Sequence, residues 1–271
     1  MATDVERAVL ASPIASGRTA EIYALGKRQI IKLFLADFSA QAADREAMIT
    51  RLVGEAGVRA PVVGQLVTLS GRRGIVFERI DGPSLMENLT RQPGSISIAA
   101  HHFATVHAAM HLCPLSELPP QKEYLAQAIE HAPGLTPVQR TAVLAQLAVM
   151  PGGQVVCHGD FHPGNVISSA HGLVTIDWMT GTSGNPLADV ARTVLMLRVA
   201  ALPPGLAASQ RLPIERARGT FLNIYLRGYR QQHEFDQKAL DAWLPIVAAA
   251  RLAEQIPGEE QALLAMVKAI A

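Results

Sequence analysis

Over roughly the first 80 residues, the order of apolar and polar positions predicts strands arranged around one helix. Ala20–Leu25 and Gln29–Phe34 are short strand-like runs, with Gly26-Lys27-Arg28 between them as a turn. Ala40–Glu55 carries Ala43, Ala47 and Ile49 on one face and charges on another, a helical pattern that Gly57 ends. Val62–Leu69 and Gly74–Ile80 follow as two more strands, joined by Ser70-Gly71-Arg72-Arg73. After the break at Asp81-Gly82-Pro83 the period becomes helical, over Ser97–Leu112, Gln121–His131, Thr136–Val149, Leu187–Val199, Pro213–Gln232, Gln237–Glu254 and Gly258–Ile270. Within this stretch Gln154–Cys157, Val166–Ser168 and Leu173–Ile176 interrupt the helices as short strands with polar loops. The expected class is α+β: a small antiparallel-sheet lobe with one helix over 1–80, and a larger, mainly helical lobe over 81–271. The hinge falls at about 78–82, and clefts between two such units are favoured ligand sites.

Composition narrows the function. A chain of 271 residues that is 49% hydrophobic and 17% charged can bury a sizeable core, which excludes whole-chain disorder. With 24 Lys and Arg against 23 Asp and Glu, the net charge of +1 is unlike that of an electrostatic nucleic-acid binder. Two cysteines, Cys113 and Cys157, cannot build a disulfide framework. Gly94–Ser116 and Thr141–Gly159 lack charges, but four histidines occupy the first and Pro151-Gly152-Gly153 breaks the second, so neither reads as a membrane span. The acids in Met-Ala-Thr-Asp-Val-Glu-Arg do not suit a signal peptide, and a cytoplasmic location is expected.

The chemistry is concentrated in His158-Gly159-Asp160-Phe161-His162-Pro163-Gly164-Asn165, a loop between two apolar runs. Asp160 and Asn165 are five residues apart, with proline and glycine between them to turn the backbone. Asp177 ends a further apolar strand, in Val174-Thr175-Ile176-Asp177-Trp178. Two carboxylates and an amide oxygen suit a hard divalent cation such as Mg²⁺, with one carboxylate left to orient a nucleophile. That division of labour belongs to phosphoryl transfer.

The string His158-Gly159-Asp160-x-His162-x-x-Asn165, followed by Ile176-Asp177-Trp178, resembles the aminoglycoside phosphotransferase and choline kinase group of small-molecule kinases, which share the protein-kinase fold. The resemblance spans roughly Gly17 to Asp189. Gly159 stands where protein kinases carry arginine, and Trp178-Met179 replaces Phe-Gly, departures that favour the small-molecule branch. The resemblance implies that Asp160 is the catalytic base, that Asn165 and Asp177 hold Mg²⁺, and that His158, His162 and Asp189 support the loop. It also implies an ATP site. Lys32, a lysine inside an apolar strand, would pair with Glu46 and hold the phosphates. The turn with Gly17 and Thr19 would cover the phosphates through its backbone. Hinge backbone near Glu78 and Ile80 would meet the adenine.

The implied activity is transfer of the γ-phosphoryl group of ATP, with Mg²⁺, to a hydroxyl of a small-molecule acceptor, without nucleic-acid or membrane partners. An amino-alcohol or sugar metabolite (choline, thiamine or methylthioribose type) is an alternative acceptor to an aminoglycoside, and a nucleotide-binding pseudokinase is an alternative of another class. From Leu206 onward, seven acids against eight bases give no acidic field of the kind a polycation would need. His107 and His111, four apart on one helix face, could serve zinc but read better as packing groups, as do Tyr225, Tyr229 and Trp243.

Overall fold

The computed structural model describes residues 12–200 and 207–268. The acidic N-terminal segment and the expected helix end at Ile270 lie outside the described residues. The chain divides into two units. The first comprises the described residues up to Ser84 together with Asn165–Gly181, and the second comprises Leu85–Gly164 and the described residues from Thr182 onward.

The first unit is built on a five-stranded antiparallel sheet in the order β1-β2-β3-β5-β4. Its strands are β1 (Ala15–Ser16), β2 (Ala20–Leu25), β3 (Gln29–Phe34), β4 (Val63–Leu69) and β5 (Arg72–Glu78). The β4–β5 hairpin is tighter than the sequence suggests. Ser70 and Gly71 alone make the turn, both with positive φ (49° and 78°), so Arg72 and Arg73 belong to the strand. Helix α1 (Ala40–Glu55) covers one sheet face, where Ala43 and Ala47 pack with Ala20, Phe34, Ile75 and Phe77. Tyr23, Ile31, Leu33 and Val76 form a separate cluster. Strand alternation puts Lys32 on the same sheet face as Phe34, between Ile22 of β2 and Ile75 of β5 in register.

A hairpin of β7 (Val166–Ser169) and β8 (Gly172–Thr175) also belongs to this unit. The sequence boundary near residue 80 leaves it in the other half. Its attachments explain the difference: Ser168 N–H donates to Pro83 O at 2.9 Å and Thr175 N–H to Arg59 O at 2.9 Å. Gly82 permits the first approach. Its φ is +144°, and a Cβ there would lie 2.1 Å from Ser168 O.

The second unit is mainly helical: α2 (Leu85–Arg91), α3 (Ile96–Met110), α4 (Gln121–His131), α5 (Pro137–Val149), α6 (Pro186–Val199), α7 (Ala208–Gln232), α8 (Gln237–Arg251) and α9 (Glu260–Val267). A short antiparallel pair, β6 (Val155–Cys157) and β9 (Thr182–Gly184), ties the start of the Asp160 loop to the start of α6. The sequence pattern does not announce α2 or β9. Thr182-Ser183-Gly184 has no apolar alternation, although all three residues are buried. Helix α6 is the centre of the unit, with every residue from Ala188 to Leu197 buried. It starts with Pro186 in the first turn and Asn185 as N-cap, whose side chain accepts Leu187 N–H at 2.9 Å. Helix α3 packs along α7, and α6 along α8. No helix among the described residues is long and apolar enough to cross a membrane.

Candidate active site

Lys32 is buried in the first unit, and its ammonium has two acidic partners. Nζ donates to both Glu46 oxygens at 2.8 Å and to Asp177 Oδ1 at 2.8 Å. Glu46 lies between Ala43 and Ala47 on the buried stripe of α1, so strand and helix periods together bring the pair face to face. Burial alone would push the amine's pKa down. Glu46 and Asp177 outweigh it and hold the amine charged, above the ordinary lysine range. The Glu46 carboxyl is pushed up to about 7, first by burial and then by the charge of Asp177, while Lys32 opposes the rise. The two shifts agree physically: two carboxylates around one ammonium leave an excess of one negative charge, which favours a proton or a further cation.

The β7–β8 hairpin delivers the two expected cation ligands. Val166 pairs with Thr175, and just outside that pair Ile176 N–H donates to Asn165 O at 2.9 Å. Asn165 is buried, whereas the Asp177 side chain is 38% exposed. Asp177 has φ +65°, one of three non-glycine residues in the left-handed region among those described. Trp178 behind it is fully buried, and its indole N–H donates to Thr175 O at 3.0 Å.

The other expected nucleotide groups lie in the same unit. Gly17 and Thr19 sit in the β1–β2 turn, where Gly17 N–H donates to Ala20 O at 2.9 Å and Thr19 O accepts Leu35 N–H at 2.9 Å. Glu78 ends β5. Its N–H is already donated to Val62 O at 2.9 Å, so only its carbonyl could serve a ligand's donor. Ile80 follows, half-buried.

In the second unit, Asp160 projects from a loop whose backbone is held from behind. Gly159, at φ +77°, makes the turn into it. His158 Nδ1 accepts Asp160 N–H at 3.2 Å, and His162 Nδ1 accepts Gly164 N–H at 3.1 Å. The Asp160 side chain is 31% exposed, with His162 Nε2 at 3.7 Å and Arg192 Nη2 at 3.9 Å from its oxygens. Asp189, wholly buried on α6, accepts His158 N–H at 2.6 Å and Gly159 N–H at 2.7 Å. Its second group of donors is His107 Nε2 at 3.1 Å and His111 Nε2 at 3.3 Å. Burial would raise its pKa, but the hydrogen bonds from these two imidazoles dominate and keep it well below the carboxylate range. His107 is driven down to about 3 by burial and by His111, so that ring is neutral.

Two further groups at this site have no place in the sequence reading. Arg192 donates Nε to Gly159 O at 3.1 Å and pairs with Glu254. Arg251 holds Glu254 at 3.1 Å and Glu259 at 2.5 and 2.9 Å. A signal for Arg192 existed, since a charged residue inside the apolar run Leu187–Leu197 demands a partner. His107, His111, Tyr225 and Tyr229 are buried as packing groups would be, and they also hydrogen-bond to one another and, through the histidines, to Asp189.

A sheet unit with a buried lysine–glutamate pair and a helical unit with a braced aspartate loop are the parts of a kinase-like phosphotransferase of small molecules. The family model described as "Phosphotransferase enzyme family" matches residues 11–243, and the chain belongs to that family. Solved structures agree in fold. A thermostable mutant of aminoglycoside phosphotransferase APH(4)-Ia, in a ternary complex with ADP and hygromycin B, is 14% identical with a TM-score of 0.67, covering 99% of this chain and 98% of that one. Amicoumacin kinase hAmiN, in complex with AMP-PNP, Ca²⁺ and Ami, is 17% identical with a TM-score of 0.58, covering 96% and 87%. Aminoglycoside phosphotransferase APH(3'')-Id from Streptomyces rimosus is 17% identical with a TM-score of 0.56, covering 88% and 92%. A search of curated proteins found no match.

Proposed function

We propose that this phosphotransferase uses ATP and Mg²⁺ to phosphorylate a hydroxyl group of a small molecule. The observation that carries the reading is Lys32, a buried ammonium held 2.8 Å from both Glu46 and Asp177. A charged lysine is kept in a sheet interior at high desolvation cost, and phosphate binding is the use that this placement serves. In this reading Lys32 binds the nucleotide phosphates and Glu46 aims it. The turn at Gly17 and Thr19 covers the phosphates through backbone N–H groups other than that of Gly17, which Ala20 O holds. The Glu78 carbonyl and the Ile80 N–H serve the base.

The donor set fits Mg²⁺. Asn165 and Asp177 offer an amide and a carboxylate oxygen, both hard ligands, and the excess negative charge around Lys32 favours a cation. When bound, Mg²⁺ neutralises charge on the phosphates being separated. The left-handed backbone at Asp177 is the kind of strain that functional residues carry.

Asp160 accepts the proton of the attacking hydroxyl and orients its lone pair. His158 fixes the Asp160 backbone, His162 flanks its carboxylate, and Asp189 braces the loop. The APH(4)-Ia neighbour is an aminoglycoside phosphotransferase in a ternary complex with ADP and hygromycin B, so an aminoglycoside-like amino sugar is the first candidate here. The test is ADP release from Mg²⁺–ATP across aminoglycosides, macrolides, choline, ethanolamine, thiamine and methylthioribose, with Asp160→Asn as the blank. Acceptor-dependent ADP that disappears in the variant supports the reading. A protein that binds no ATP refutes it.

A further inference from the structure

Helix α3 with its C-cap His111, and helix α7, each place two polar side chains in the interior of the second unit, and the reaction as written uses none of them. Tyr225 Oη lies 2.8 Å from His107 Nδ1, and Tyr229 Oη lies 2.7 Å from His111 Nδ1. The opposite nitrogens of both rings meet one atom, Asp189 Oδ2, at 3.1 and 3.3 Å. All five residues are buried to at least 97%. Residue spacing makes this possible: the histidines are four apart at the end of α3, His111 being its C-cap with helical backbone, the tyrosines are four apart on α7, and each pair falls on one face.

The protonation pattern follows from chemistry. An ionised carboxylate has only lone pairs, so both Nε2 atoms must carry hydrogen. A neutral ring, as His107 is, then offers a bare Nδ1, which accepts a hydrogen bond from the tyrosine hydroxyl. Every polar atom of the five is satisfied in this arrangement, as burial requires. His107, His111 and Asp189 could also collect a metal ion. That would require both Nε2 atoms to be bare and would compete for Oδ2 with the His158 N–H, which lies at 2.6 Å.

We propose that the Tyr225–His107 and Tyr229–His111 pairs are positioning groups of the catalytic loop. They fix the Asp189 carboxylate in one orientation, and Asp189 fixes the backbone of His158 and Gly159, from which Asp160 projects. The tyrosine hydroxyls act at the far end by holding Nδ1 and so the orientation of each ring. Without them, Nδ1 is left unsatisfied and the ring that carries the Nε2–H donor toward Asp189 is no longer held in place. This inference rests on the kinase reading above.

The test uses Mg²⁺–ATP with water as acceptor, so no acceptor need be known. In a Tyr225→Phe, Tyr229→Phe double variant, kcat for ADP release falls about tenfold while KM for ATP stays within about twofold. His107→Gln, which keeps an N–H donor, retains more of the rate than His107→Leu. Long-range ¹H–¹⁵N spectra of the wild type show both rings as Nε2–H tautomers, and in the double variant the Nδ1 signals shift as their hydrogen bonds are lost. A double variant with a lowered Tm but unchanged kcat overturns the proposal, because the tyrosines would then be structural only. So do an Nδ1–H tautomer and stoichiometric zinc in the purified protein. A wild type releasing no more ADP than Asp160→Asn fails the kinase reading, and this proposal with it. An active wild type with an unaffected double variant fails this proposal alone.

Discussion

Replacing Lys32 with methionine tests the electrostatic account of the first unit, because the stability loss should depend on pH in a particular way. Methionine keeps the length and apolar stem of the side chain but removes the charge. Glu46 is 1% exposed and cannot reach water, so it must either stay ionised without a partner or take up a proton. In the wild type its carboxyl already titrates near 7, through burial and the charge of Asp177. Lys32 is the influence that lowers it, so removing Lys32 moves it further up. At pH 5.5 both proteins hold Glu46 protonated when folded, and they differ little through this group. Above pH 7 the wild type ionises in the folded state, as the unfolded chain does, while the variant keeps its proton. The deficit then grows by about 1.4 kcal/mol per pH unit, or about 2 kcal/mol between pH 7 and 8.5. The measurement is urea unfolding at pH 5.5, 7 and 8.5, followed by Trp178 fluorescence in a Trp243→Phe background. A deficit that is flat or shrinking with rising pH would refute the reasoning. Adding Glu46→Gln to the variant should remove the pH dependence.

Three other outcomes are expected. Asp160→Asn keeps ATP affinity within about twofold while turnover falls roughly 10²–10⁴-fold, since the carboxylate is needed only as the hydroxyl attacks; equal losses of binding and rate would place Asp160 elsewhere. His107 has its pKa depressed from 6.5 to about 3 in the folded state, so the unfolded chain binds a proton that the folded one does not. Its contribution to stability is complete above pH 6.5 and is lost on acidification, at about 1.4 kcal/mol per pH unit between 6.5 and 5. Calorimetry on His107→Gln should show proton uptake on unfolding reduced by one, and an unchanged uptake counts against the neutral ring. Gly82→Ala meets both a φ of +144° and an oxygen 2.1 Å from the new Cβ, so it should lower stability by more than about 2 kcal/mol, read as a drop in Tm.

Legibility followed the range of the signals. Asp160, Asn165 and Asp177 stood out because polar residues are crowded between apolar strand runs, and Lys32 because an apolar strand has no other use for an amine. Glu46 was legible from the helix period once Lys32 was in view. The partners of His107 and His111 were not, because Asp189 is 82 and 78 residues away and the tyrosines 118 from their histidines. A local window sees only two buried pairs at helical spacing, which is what packing looks like. Arg192 and Glu254 escaped for the same reason, being 62 residues apart. In the fold, β9 carries its burial through backbone pairing with β6 rather than through side-chain pattern, and pattern is all that the sequence reading had.

The placement of the β7–β8 hairpin also has a consequence for synthesis. Chain that builds the first unit is interrupted by Leu85–Gly164 and resumes only at Asn165. On the ribosome, the five-stranded sheet and α1 emerge early, yet the second carboxylate for Lys32 arrives 145 residues after the lysine itself. Until then the nascent sheet holds its ammonium with Glu46 alone. A fragment ending near Ser84 would therefore be an incomplete body rather than a portable module, and any attempt to transplant this half into another chain must carry 165–181 along with it.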